Sequence, residues 1–207
     1  MRAHDLLWLR TTAIAAGAPL PDWAEAAWPV VVRRAEPGRQ GLVAVGLRGR
    51  ARNQRHAAWV ALAQVMRRCT PEALARERGW ARCPGSGLAC LDALARIAPM
   101  LDAAGLTWGP TGGVGFALAS GAAVLHQGSD LDLLVRAPRP FAERELGLLR
   151  TLRSHAGCRL DVQIDTGCGG FALDEWLAGR RTVLLKTANG PRLVSDPWQP
   201  QKQECPA

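Results

Sequence analysis

Tyrosine is absent and phenylalanine occurs only three times in a chain of 207 residues. Proteins that hold single-stranded nucleic acid stack bases on such rings among basic side chains. The most arginine-dense stretch, residues 48–55, contains no aromatic at all, which argues against a nucleic-acid partner. Lysine is nearly missing too, since 24 of the 26 basic residues are arginine. No run approaches the roughly 18 apolar residues of a membrane span, so no membrane association is expected. The six cysteines (Cys69, Cys83, Cys90, Cys158, Cys168, Cys205) form no CxxC pair and no Cys/His grouping. A structural zinc site is thereby disfavoured, and they read as scattered reduced thiols. The small apolar stretch 11–18 behind Arg2 and Arg10 is too short and too weakly hydrophobic for a secretory signal. The expected location is cytoplasmic.

What the chain does have is a hydrophobic content of 48%, enough for a core, and an uneven charge. The net charge is +8, and residues 1–88 carry all of it, with 14 arginines against 6 acids. Residues 89–207 balance 12 basic against 12 acidic residues. A basic first half beside a neutral second half suits a polyanionic partner: phosphates, nucleic acid or an acidic protein.

The turn-rich segment Cys83-Pro84-Gly85-Ser86-Gly87 suggests a division into residues 1–84 and 85–207. The first part reads as a small basic α+β domain that docks substrate or a carrier protein. It has strands at 29–33 and 41–47, a helix over 54–68 from the spacing of Ala58, Leu62, Val65 and Met66, and a helix over 71–78. Thr70 and Pro71 provide the cap and first position of the latter. The second part alternates helix and strand as an α/β unit: helix 88–104 stopped by Gly105, strand 106–109, a turn, helix 114–120, strand 130–136, helix 140–156, strand 159–165, helix 173–178 and strand 182–186.

The sharpest chemical signal is Gly128-Ser129-Asp130-Leu131-Asp132. Carboxylates at i and i+2 of a strand share a face and repel unless a cation lies between them. Divalent ions with oxygen ligands supply that charge and bridge phosphates, so Mg²⁺ or Mn²⁺ is the expected cofactor. Asp161, on the next alternating strand, would complete a set of three catalytic, metal-holding carboxylates with Asp130 and Asp132. Asp165 shares its face but stands further along the strand, roughly 7 Å beyond Gln163, and ranks behind Asp161. Upstream, Thr111-Gly112-Gly113 lies between strand and helix, where backbone N–H groups and a helix start can hold phosphate oxygens. Ser129 is a further phosphate contact in this reading. Arg48, Arg50, Arg52 and Arg55 are candidates for the substrate's phosphates, against the alternative of a solvated basic loop. Trp108 could stack on adenine, although tryptophan is more often core. Lys186 could serve phosphates from a late strand, and His126 could touch substrate, though surface or packing roles are the commoner ones.

Strand, glycine turn, helix, Asp-x-Asp strand, helix and Asp-bearing strand, in that order over about residues 106–165, resemble the polymerase β-like nucleotidyltransferase superfamily. The resemblance implies a palm-like domain in which three carboxylates bind two metal ions. Gly113 and Asp130 stand 17 positions apart, longer than minimal members use, which puts ordinary nucleotide specificity in doubt. A closer resemblance spans nearly the whole chain. His4-Asp5-Leu6-Leu7-Trp8, the segment 50–54, Trp108-Gly109-Pro110-Thr111-Gly112-Gly113-Val114-Gly115-Phe116, Ser129 to Leu134, Asp161-Val162-Gln163 and Glu175-Trp176 look like the malonate decarboxylase holo-[acyl-carrier-protein] synthase family, also called phosphoribosyl-dephospho-CoA transferases. That resemblance implies transfer of a phosphoribosyl-dephospho-CoA group from its triphosphate precursor, triphosphoribosyl-dephospho-CoA, to a serine of the decarboxylase acyl carrier subunit, with release of pyrophosphate. Two alternatives share parts of the pattern: a nucleotidyltransferase that adds AMP to a small molecule or another protein, and a non-catalytic nucleic-acid-binding module.

Overall fold

The computed structural model describes residues 1–10, 20–36, 40–51, 53–83 and 87–200. The apolar stretch 11–18, Arg52, the middle of the turn at 83–87 and Cys205 lie outside them.

The first region is a five-stranded antiparallel sheet. Its strands are β1 (Leu6–Leu9), β2 (Val30–Val32), β3 (Leu42–Arg48), β4 (Arg55–Ala61) and β5 (Val65–Cys69), in the order β4-β3-β2-β1-β5. The expected helix over 54–68 is therefore two strands joined by a short 3-10 turn, Leu62–Gln64. Ala58 and Val60 are buried at a spacing of two, while Leu62 and Met66, which suggested a helical stripe, are exposed. All seven residues of β4 pair with β3, from Leu42 opposite Ala61 to Arg48 opposite Arg55. Alanine-rich composition imitated a helix, and long-range pairing overrode it.

The second region contains α1 (Pro71–Glu77), α2 (Ala89–Ala103), β6 (Thr107–Pro110), α3 (Gly112–Ser120), β7 (Leu131–Arg136), α4 (Glu143–Ala156), β8 (Leu160–Asp165), β9 (Gly170–Ala172), α5 (Leu173–Leu177), β10 (Val183–Thr187) and β11 (Gly190–Val194). Thr70 accepts a hydrogen bond from the Ala73 backbone N–H, so the cap inferred for α1 is present. The strands run in the order β11-β10-β9-β8-β7-β6, antiparallel except for the parallel pair β7 and β8, which α4 connects. The chain is thus an α+β protein with two sheets. The change of sheet falls at Thr70, ahead of the turn at 83–87, because Ala75, Trp80 and Cys83 already belong to the second core. Among the described residues no helix is long and apolar enough to cross a membrane.

Alternation decides the faces of β7 and β8. Leu131, Leu133 and Val135, with Leu160, Val162 and Ile164, pack in the large core with Leu94, Ile97 and Leu101 of α2 and Leu149 and Leu152 of α4. The opposite face carries Asp132, Arg136, Asp161, Gln163 and Asp165, and it looks toward the first sheet. Two joints fix that approach. One is apolar: Leu6, Leu74, Phe116 and Ala122 form a buried cluster, with Trp28 edge-on to Phe116 at 5.5 Å between ring centroids. The other is ionic. Arg136, 7% exposed, donates from Nε to Glu72 of α1 at 2.9 Å, from Nη1 to Asp165 of β8, and from Nη2 to the Ala3 carbonyl at 3.2 Å.

Removing a partner from such a buried set leaves charges uncompensated, which costs about 3 to 5 kcal/mol. Arg136→Met should lower unfolding stability by an amount of that order in urea titrations. A loss under about 1 kcal/mol would show that the joint is not needed to hold the sheets together.

Candidate active site

Between the sheets lies one cleft of about 860 Å³. Its walls come from both regions: His4, Arg33, Arg34, Arg48, Arg55 and His56 on one side, and Thr111, Gly112, Phe116, Asp132, Asp161, Gln163 and Lys186 on the other.

The carboxylate wall follows from strand register. Asp132 and Asp161 are direct partners in the parallel pair β7–β8, so their side chains stand side by side on the cleft face. Burial is the main cause that pushes the Asp132 carboxyl above the usual range, and the negative charges of Asp161 and then Asp130 push it the same way. Arg48 and Arg55 oppose that rise only in part. Asp130 stands just before β7 and does not line the cleft, although its charge reaches Asp132. Asp161 is partly exposed and paired with Arg159 at 3.3 Å. Asp132 and Asp161 offer a hard divalent cation oxygen ligands, with excess negative charge at the buried one, and Asp130 stands just outside the cleft beside them. Among the described residues no three His, Cys, Asp or Glu side chains are already gathered as a ligand cluster.

The glycine turn faces this wall. Gly112 has φ +57, in the left-handed region, and an added Cβ would overlap the Asp132 carboxylate. The Thr111 N–H donates to the Asp132 carbonyl at 2.8 Å, which sets the start of α3 beside β7. No side chain caps that helix start, and its residues Thr111 and Gly112 line the cleft. Across from it, Arg48 and Arg55 are opposite partners at the turn end of the β3–β4 hairpin. Arg48 lies 5.5 Å from the centroid of Phe116, and its Nη2 is 3.4 Å from where a Gly113 Cβ would sit. Burial, then the neighbouring Arg55 charge, lowers its pKa, while Asp132 works against that.

Other candidates have different positions. Arg50 points away, paired with the exposed Glu25 at 3.2 Å and set over the Trp28 ring at 5.3 Å. Ser129 is occupied within its own turn, its hydroxyl accepting from the His126 N–H at 2.9 Å, and His126 Nδ1 accepts from the Gly128 N–H. Trp108 is buried in the large core, with its indole N–H on Asp102, so it offers no face for adenine. Asp165 is bound to Arg34 and Arg136 and belongs to the joint between the sheets. Sequence reasoning missed Arg34 and gave His4 no role at the site. Arg34 stood in no motif that singled it out, and His4 stood only within a family-like motif. His4 adopts φ 74 and its imidazole pKa falls to about 4, because burial and then the charges of Arg34 and Arg136 disfavour the cation.

A wall of crowded carboxylates opposite guanidiniums, with an uncapped helix start between them, is suited to handling a phosphate-bearing group. Two family models cover nearly the whole chain: the N-terminal domain of phosphoribosyl-dephospho-CoA transferase matches residues 2–71, and its C-terminal domain matches residues 73–197. The chain is 49% identical to a phosphoribosyl-dephospho-CoA transferase of Pseudomonas putida strain GB-1, across 98% of this chain and 97% of that one. It is 48% identical to the Azotobacter vinelandii enzyme of that name, over 95% and 93% of the two chains, and 47% identical to that of Pseudomonas syringae pv. tomato, over 94% and 92%. No solved structure gives a significant match. The chain belongs to the phosphoribosyl-dephospho-CoA transferase family.

Because the folded protein holds the Asp132 proton more tightly than the unfolded chain does, ionisation of Asp132 opposes folding. Its contribution is most favourable below the unfolded value of about 3.9 and is lost as pH rises through the raised folded value. In metal-free buffer at pH 7, Asp132→Asn should therefore raise the melting temperature above that of the wild type. A lower melting temperature would mean that Asp132 is held by compensating partners. His4 works in the other direction: its depressed folded pKa removes stability as pH falls from about 6.5 toward about 4. His4→Gln should flatten the loss of melting temperature over that interval.

Proposed function

We propose that this enzyme moves the phosphoribosyl-dephospho-CoA group of 2'-(5''-triphosphoribosyl)-3'-dephospho-CoA to a serine of the acyl carrier subunit of malonate decarboxylase, with release of pyrophosphate. The observation that carries the reading is the registered pair Asp132 and Asp161 beside the Thr111-Gly112-Gly113 turn, in a cleft whose facing wall supplies Arg48 and Arg55. Family membership supports the transferred group, and the acyl carrier subunit is the acceptor this reading assigns.

The serine Oγ forms a bond to the α-phosphorus as the bond from that phosphorus to pyrophosphate breaks. Asp161, partly exposed at the cleft, accepts the proton leaving the serine hydroxyl, directly or through water. The N–H groups of Gly112 and Gly113 donate to oxygens of the departing pyrophosphate, an approach that only side-chain-free residues allow. Arg48, desolvated against Phe116 and adjoining that helix start, neutralises the same oxygens with charge-assisted hydrogen bonds. When bound to Asp130, Asp132 and Asp161, Mg²⁺ or Mn²⁺ would supply the positive charge that stabilises the developing charge on phosphate. The first region contributes the guanidinium wall, and its arginine excess suits an acidic carrier surface as well as the substrate.

Incubation of apo carrier subunit with the enzyme, Mg²⁺ and triphosphoribosyl-dephospho-CoA should add the mass of one phosphoribosyl-dephospho-CoA group. Asp132→Ala should add none. A carrier that stays apo with wild-type enzyme, while ATP adds AMP to some other acceptor, would replace this reading with general nucleotidyl transfer. Loss of charge-assisted hydrogen bonds worth about 1.5 to 3 kcal/mol leads to a further expectation: Arg48→Ala lowers kcat/KM by about 10- to 100-fold. Steady-state rates of carrier modification check it.

A further inference from the structure

The carboxylate pair and the glycine turn occupy one end of the cleft. Strand β8 then runs away from them, and its alternate residues Asp161, Gln163 and Asp165 share the cleft face. Gln163 is roughly 7 Å and Asp165 roughly 13 Å beyond Asp161 by strand rise. A second group of nitrogen donors gathers there, from elements far apart in the chain.

Gly170 of β9 marks the centre of that group. A Cβ on Gly170 would come within 2.5 Å of Gln163 Nε2 and 2.6 Å of Arg34 Nη2, so both nitrogens converge over a patch that only glycine leaves open. Lys186 of β10 is the register partner of Gly170. Gln163, Arg34 and Lys186 all line the cleft. Lys186 is exposed, and among the described residues its ammonium has no ion pair. Arg34, mostly buried, shares the carboxylate of Asp165 with Arg136. Glu72 and Asp165 balance the two guanidiniums, so the ammonium of Lys186, with no ion pair of its own, is the charge left over for an anion. His4 lines the same cleft and stays neutral near pH 7, so it adds no charge there.

We propose that Arg34, Lys186 and the Gln163 amide form a second phosphate station, which binds the diphosphate of the dephospho-CoA half of the substrate while the triphosphate lies at the Asp132 end. The inference rests on the proposed function, because it takes the substrate to carry two separate phosphate groups. In that substrate two pentose rings separate the reacting phosphorus from the diphosphate, a spacing of the same order as the distance from Asp161 to the station. Occupation of both ends distinguishes this substrate from an ordinary nucleoside triphosphate, which has phosphates to fill only one.

Calorimetry in metal-free buffer reads the station without any transfer. Dephospho-CoA carries the diphosphate but no triphosphate, and adenosine carries neither. Wild-type enzyme should bind dephospho-CoA at least ten-fold more tightly than adenosine. Lys186→Ala should remove most of that preference, and Lys186→Arg should restore it. Lys186 is exposed on a strand, so the variants should fold, and their melting temperatures verify it. Equal preference in wild type and Lys186→Ala would overturn the station, as would a wild type with no preference. The same wild-type preparation, assayed for mass gain on the carrier, tests the transfer itself. Preference without transfer would keep a diphosphate station and discard the carrier reading; transfer with an unaffected preference in Lys186→Ala would do the reverse.

Discussion

Arg136 sits where three pieces of chain must meet, and the cleft depends on it. Its guanidinium, nearly inaccessible to water, reaches Asp165 on the neighbouring strand, Glu72 on the first helix and the Ala3 carbonyl at the start of the chain. A guanidinium can satisfy partners in several directions in one plane, which a lysine ammonium at the same place would not reproduce. Because Arg34 holds the other side of Asp165, the first sheet is tied to the second at the level of side chains that also face the cleft. The separation between the walls is thus set beside the site. The apolar cluster of Leu6, Leu74, Phe116 and Ala122 provides nondirectional attraction for the same approach, and the ion set gives it direction.

Within that frame the site is built against its own electrostatics. Asp132 is buried next to two like charges, and the two arginines facing it offset them only partly. An apolar residue at this position would fold more comfortably, so the carboxylate is retained at some cost in stability, a pattern expected of a functional position. Gly112 adds a geometric counterpart, since only a residue without a side chain permits the positive φ and the close approach to the carboxylate together.

How much of this was legible depended on whether the signal was local. Helix α2, the capped helix α1 and the strands β7 and β8 were readable because burial repeats at 3.6 or 2 residues within each element. Residues 54–68 were misread because their alanines suit either period, and the deciding factor was the partner strand β3. The pair Asp132 and Asp161 was anticipated from alternation, but their one-to-one register became visible only once β7 and β8 were adjacent. Arg50 and Arg55 illustrate the limit well. They look alike in the chain, yet the hairpin sends one to Glu25 and Trp28 and the other into the cleft.

By itself the order of residues determined the chemistry available: acids at alternate positions of a strand, a glycine turn ahead of a helix, and a surplus of arginine in the first part of the chain. It also carried the family pattern. The tertiary structure decided which of those groups act together. It withdrew Asp165, Ser129 and Trp108 into structural roles and brought Arg34, Lys186 and His4 to the cleft from distant elements. The physical reason is that alternation and capping act within a few residues, whereas charge pairing and burial act through space and depend on neighbours that no local pattern specifies.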